Sequence, residues 1–172
     1  MGKTTGCNYM KQLRVYLDTS VINFLFADDA PDFRRVTVEF FERYAARYEL
    51  YGSGVLLREL AADPDDRRRE LHFRVLKDYH VAILPVDSDV EVARLADAYL
   101  REGVVPERKR EDALHVAYAT VFRMDAVLSW NFKHLANLRR EARFMTVNHV
   151  EGYLHSPRIV SPMELEDEYE EE

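Results

Sequence analysis

The chain has 172 residues, a formal net charge of −7 and a hydrophobic fraction of 47%, which fits one globular domain with a real core. Its apolar runs are too short for a membrane-spanning helix, and the opening residues lack the apolar stretch of a secretory leader, so a cytoplasmic protein is expected. The one cysteine, Cys7, excludes an internal disulfide.

The charge is unevenly placed. Seven of the 31 acids lie between Glu164 and Glu172 with no base among them, and without these the body carries 24 acids against 24 Lys and Arg. A solvated acidic tail over 164–172 is therefore expected, behind a neutral body able to carry local basic patches. Residues 1–12 read as a polar lead-in.

Arg14 to Leu17 is a short β-prone run ending at Asp18. A helix is expected from Thr19 to Phe26, with Thr19 or Ser20 able to cap it. Pro31 opens a helical stretch to about Tyr48, where Val36, Phe40, Phe41 and Tyr44 recur at helical spacing. Glu49 to Gly52 reads as a second strand. A helix after Ser53-Gly54 holds Val55, Leu56 and Glu59, and another, rich in charge, runs from Pro64 to about Tyr79.

Val81 to Leu84 is a third strand. Ser88 begins a helix to Arg101, stopped by Gly103. A patterned helix spans Arg110 to Phe122, followed by a strand at Ala126–Ser129 and a fifth at Phe144–Val147. Short apolar strands alternating with helices imply an α/β layer structure with a mostly parallel sheet.

In such sheets, sites form beyond the carboxyl ends of the strands. Asp18 stands at that rim, Glu59 on the helix after the second strand and Asp112 in the first turn of its helix. Asp125 precedes the fourth strand and belongs at the opposite rim. Clustered carboxylates repel one another unless a cation neutralises them or a proton is shared. Mg²⁺ or Mn²⁺ would take their oxygens and retain several waters. Each acid also has a local explanation. Asp18 can serve as a helix N-cap, Glu59 as a surface residue, and Asp112 as a complement to the helix dipole.

The segments Tyr16–Asn23 (YLDTSVIN), Val55–Leu60 (VLLREL), Glu111–Thr120 (EDALHVAYAT) and Val127–Leu135 (VLSWNFKHL) occur in the order of four family motifs. In that combination the chain resembles PIN domains, and VapC-like toxins and related prokaryotic PIN proteins in particular. The resemblance covers about Leu13 to Met163 and implies a three-layer α/β PIN-like fold over 13–163. It implies metal-dependent endoribonuclease activity, with RNA as substrate and Mg²⁺ or Mn²⁺ as cofactor. By motif, Asp18, Glu59 and Asp112 would be metal ligands, Glu59 directly or through water.

At the fourth position the family commonly has Thr-x-Asp, and this chain has Ser129-Trp130-Asn131. Asn131 offers an amide in place of a charge. A scaffold that binds RNA or a protein with little catalysis is the alternative reading. Ser20, Ser129, Lys109, Arg110 and Lys133 are candidates to contact RNA, and Arg108–Arg110 to steer its backbone.

His115, three residues after Asp112, reads as a packed core histidine or a metal ligand. Trp130 reads as a base-stacking ring or a packing residue. An antitoxin partner is expected if the toxin resemblance holds, and the helix end at Tyr99-Leu100 is a candidate homodimer face. An aspartyl phosphatase on a doubly wound sheet would want a second Asp where Ser20 stands.

Overall fold

A computed structural model describes residues 11–85, 89–131, 135 and 137–165. The lead-in containing Cys7, and Lys133 and His134 of the expected site, lie outside the described residues.

Five strands form one all-parallel sheet in the order β3-β2-β1-β4-β5. They are β1 (Arg14–Leu17), β2 (Glu49–Gly52), β3 (Ala82–Ile83), β4 (Ala126–Leu128) and β5 (Arg158–Val160). The helices are α1 (Thr19–Phe24), α2 (Pro31–Glu39), α3 (Gly54–Ala61), α4 (Asp66–Asp78), α5 (Asp89–Arg101), α6 (Arg110–Val121) and α7 (Leu138–Val150).

The strand pleat divides the core into two layers. Val15, Leu17, Ala126, Leu128 and Val160 point to one face, where Phe40, Phe41, Leu56, Leu60 and Leu76 cover them. Tyr16, Val127 and Ile159 point to the other, against Leu95, Tyr99, Val116, Ala117, Phe144 and Val147. Parallel strands covered on both faces become nearly continuous apolar runs, which is why RVYL and AVL read so clearly as strands.

Boundary chemistry accounts for most helix ends. Ser53 caps α3 by accepting from the Val55 amide, and Asp65 caps α4 by accepting from the Arg68 amide. Asp65 rather than Pro64 thus sets the start of α4. Gly103, at φ +62, ends α5, and the Val104 amide turns back to the Tyr99 carbonyl. The stretch from Pro31 is not one α-helix. After Glu39 it passes through a π turn at Phe40–Tyr44 and a 3-10 turn at Ala45–Arg47.

The expected fifth strand at Phe144–Val147 is corrected. Those residues lie within α7, where Phe144 and Val147 are buried while Met145 and Thr146 between them are exposed. That is an i, i+3 face, which a four-residue apolar run cannot distinguish from a strand. The fifth strand is R-I-V at 158–160, paired with β4. Of the dimer face expected at Tyr99-Leu100, Leu100 is partly exposed and Tyr99 cannot take part. Tyr99 is fully buried, and its hydroxyl donates to Asn148 Oδ1 at 2.5 Å.

Glu164 and Leu165, expected in the acidic tail, pack with the body. Glu164 accepts from the Ser161 amide at 2.7 Å and the Ser161 hydroxyl at 2.9 Å, and Leu165 joins the core. The Ser161–Glu164 pairing has the residue types and spacing of a capping box, which opens a turn of helix at 162–165. Among the described residues, no helix is long and apolar enough to cross a membrane.

Candidate active site

The strand order reverses beside β1. The chain runs from β1 outward through β2 to β3, then crosses back to place β4 on the other side of β1. A crevice opens beyond the carboxyl ends of two strands at such a point. Asp18 follows β1 there, its amide bonded to the Leu128 carbonyl at 3.0 Å. Asp125 sits at the other end of the sheet, accepting from the Arg14 amide at 2.7 Å. The sequence reading of both rims is thus correct.

Asp18 occupies the N-cap position of α1, yet its side chain makes no capping bond. Its Oδ2 instead accepts from the Ser20 hydroxyl at 2.7 Å and the Ser129 hydroxyl at 2.6 Å. The turn after β4 is fastened to the same carboxylate. The Trp130 amide donates to Ser20 Oγ at 3.0 Å, and the Asn131 amide to Ser129 Oγ at 2.9 Å. Ser129 is fully buried, so the expectation that its hydroxyl contacts RNA is corrected: that hydroxyl is directed onto Asp18. Trp130 is a packing residue. It is buried, donates from Nε1 to Thr37 Oγ1 at 2.8 Å, and stands edge-on to Phe33 at 4.8 Å.

Asp112, in the first turn of α6, is half-buried and accepts from the Asn131 side-chain amide at 3.2 Å. Burial, and then the charge of Asp18, push its carboxyl up to about 6, against smaller opposing effects of Lys109 and His115. The Asp112 carboxyl therefore stands close enough to Asp18 to feel its negative charge. Lys109 lies close enough to offset part of it. The Arg110 guanidinium turns to Asp97 on α5.

Glu59, on α3, approaches through His115. His115 Nε2 lies 2.7 Å from Glu59 Oε2 and 3.5 Å from Asp18 Oδ1, and the Thr19 hydroxyl donates to Glu59 Oε2 at 2.5 Å. Burial alone would raise the Glu59 carboxyl, but the hydrogen bond and charge of His115 and the bond from Thr19 prevail and lower it. Burial would likewise lower the His115 imidazole, but Glu59, Asp18 and Asp112 outweigh it and raise it. Behind the ring, His115 Nδ1 lies 2.8 Å from the Tyr16 hydroxyl, which lies 2.6 Å from Ser53 Oγ. Burial raises the Tyr16 phenol well above its ordinary value.

The structure thus brings together Asp18, Ser20, Ser129, Asp112 and Asn131, and joins Glu59 to them through His115. Tyr16, Thr19 and Ser53 complete the network. The sequence reading gave them no part in it, because a strand tyrosine and two helix-start hydroxyls carry no signal of their own. His115 could have been assigned from its i, i+3 spacing to Asp112.

The donor set tests the fit to a divalent cation. Asp18 and Asp112 supply carboxylate oxygens, and Asn131 supplies an amide, the hard ligands that Mg²⁺ and Mn²⁺ prefer. Among the described residues, no group of three His, Cys, Asp or Glu side chains stands close enough to hold one ion. Two carboxylates with water completing the shell still suit Mg²⁺, which dehydrates reluctantly.

The PIN domain family model matches residues 15–135, a span from β1 through the turn after β4. The chain belongs to the PIN domain family. PIN domains are generally nucleases, and the conjunction of Asp18 with Asp112 falls inside the matched span. A chain in the crystal structure of VapBC2 from Rickettsia felis, bound to a DNA fragment from their promoter, is similar in fold. The TM-score is 0.55 at 11% identity, covering 87% of this chain and 98% of that one. No curated protein matches the chain.

Proposed function

We propose that this PIN domain is a metal-dependent endoribonuclease that hydrolyses RNA phosphodiester bonds. The observation that carries the reading is the pairing of Asp18 and Asp112 at the switch point, with Asp112 raised by burial and by the Asp18 charge. Two neighbouring carboxylates, Asp18 at the start of α1 and Asp112 at the start of α6, favour a divalent cation, since it removes their repulsion. Asp18 and Asp112 would hold Mg²⁺ or Mn²⁺ with Asn131 beside them. When bound, the ion lowers the pKa of water and offsets charge on the phosphate.

The chain's own residues do the rest. Ser20 and Ser129 hold Asp18 in one rotamer. Asn131 orients Asp112, and Lys109 supplies positive charge at the rim where a phosphate would enter. Ser20, Lys109, Arg110 and Lys133 remain candidates to meet the RNA. The neutral body outside the acidic tail suits a substrate gripped locally rather than along a broad basic face. The nuclease unit is proposed to run from about residue 13 through Leu165, which packs in the core, with the acidic tail after it, in the cytoplasm.

An antitoxin partner, making the protein the toxin of a type II pair, is supported by the likeness to the VapBC2 structure. A homodimer is proposed on the family resemblance alone, through a surface other than Tyr99. The alternative of a weakly catalytic PIN scaffold draws on Asn131, which leaves the fourth position without charge.

The test is cleavage of a structured RNA with added Mg²⁺ or Mn²⁺. Activity should require the ion and vanish in Asp18→Asn and Asp112→Asn, both remaining folded. Equal cleavage by those variants, or in excess chelator, would refute the nuclease reading. RNA binding without any metal-stimulated product would favour the scaffold.

A further inference from the structure

Glu59 is held differently from the other two acids. Its Oε2 receives the Thr19 hydroxyl at 2.5 Å and faces His115 Nε2 at 2.7 Å, so both lone pairs of that oxygen are engaged. Among the described residues, no hydrogen bond reaches Oε1. His115 cannot easily let go. It is fully buried, its ring packs against Tyr16 with centroids 5.6 Å apart, and Tyr16 and Ser53 hold its Nδ1 side. Ser53 is in turn fixed by the Val55 amide at the start of α3, the helix that carries Glu59. The brace therefore closes on itself from α3 through β1 to α6 and back.

We propose that His115, backed by Tyr16 and Ser53, is a positioning residue that, with Thr19, keeps Glu59 out of direct contact with the cation. Glu59 is left to hold a water at the cation through Oε1. The proposal rests on the reading of Asp18 and Asp112 as the cation's ligands. Coordination through Oε2 would break two hydrogen bonds, one of them to an imidazole between two carboxylates, which leaves only Oε1 free to face the site. As held, the three acids do not converge closely enough to share one ion.

The experiment uses Mn²⁺ alone as the probe, on the full chain. Calorimetry gives affinity, and water-proton relaxation gives the number of waters on the bound ion. Asp18→Asn and Asp112→Asn should lose Mn²⁺ binding. Glu59→Gln should bind about 10- to 100-fold more weakly, as expected for a partner outside the coordination sphere. Its water count should be unchanged. His115→Leu frees Glu59, which should displace a water and lower the relaxation enhancement. His115→Gln, which restores an N–H donor near the Nε2 position, should return it to the wild-type value.

A gain of one water in Glu59→Gln, or loss of Mn²⁺ as severe as in Asp18→Asn, overturns the proposal and leaves the two-aspartate reading standing. An unchanged water count in His115→Leu also overturns it. If Asp18→Asn and Asp112→Asn bind Mn²⁺ like the wild type, both readings fall together. Glu59 is partly exposed, so Glu59→Gln decides the matter even if His115→Leu does not fold.

Discussion

Asp112→Asn should make the chelator-treated protein more stable at neutral pH while abolishing metal-dependent cleavage. The Asp112 carboxyl is raised from 3.8 to about 6 in the folded protein, by burial first and the Asp18 charge second. An acid raised in this way binds more protons folded than unfolded between about pH 4 and pH 6. Its full stability is present below that window and is lost as pH rises through it. Two pKa units correspond to about 3 kcal/mol. The residue is only half-buried, so solvent screening reduces this to about 1–2 kcal/mol.

The amide of Asn cannot ionise and keeps an oxygen for the Asn131 side chain. It should therefore recover about 1–2 kcal/mol at about pH 7.5 and almost none at about pH 4. Urea unfolding in EDTA, followed by the fluorescence of Trp130, the sole tryptophan, reads both. Saturating Mn²⁺ should reverse the order, stabilising the wild type and leaving Asp112→Asn unmoved. A variant no more stable than the wild type in EDTA at neutral pH would refute the electrostatic reasoning. So would a difference that persists undiminished in acid.

Other regions of the fold give independent tests. His72 is fully buried against Phe26, with neither ring nitrogen bonded among the described residues. Burial, the largest effect, lowers its pKa. The unfolded chain thus binds a proton that the folded one refuses, and stability should fall as pH drops below about 6.5. His72→Leu should flatten that limb of the pH–stability curve, and a variant with the same acid sensitivity would locate the cause elsewhere.

Thr37→Val removes the acceptor of the buried Trp130 Nε1 proton. It should cost about 1–3 kcal/mol and shift the Trp130 emission, as seen in denaturant melts and spectra. Arg123 ends α6 at φ +55, a conformation that favours glycine. Arg123→Gly should raise stability by about 0.5–1 kcal/mol, and a lower melting temperature would contradict that assignment.

Much of this protein is set by short-range features of its chain. Two-face burial makes RVYL and AVL apolar enough to read as strands, and Ser53 and Gly103 mark helix ends by their own chemistry. Asp18 falls at the correct rim because a residue directly after a strand has little choice of position. Where the signal was a short apolar run, local pattern failed. F-M-T-V at 144–147 fits a strand or a helix equally, and only packing of Phe144 and Val147 into the core beside α5 selects the helix.

The three-residue strand at 158–160 gains its identity from pairing with β4, not from its own composition. The site depended even more on the tertiary structure. Ser129 reaches Asp18 across 111 positions and His115 reaches Glu59 across 56, distances over which no periodicity carries information. Parallel pairing through helical crossovers creates those meetings. Which acids face one another, and which hydroxyls and imidazole hold them, became defined only when β4 closed against β1.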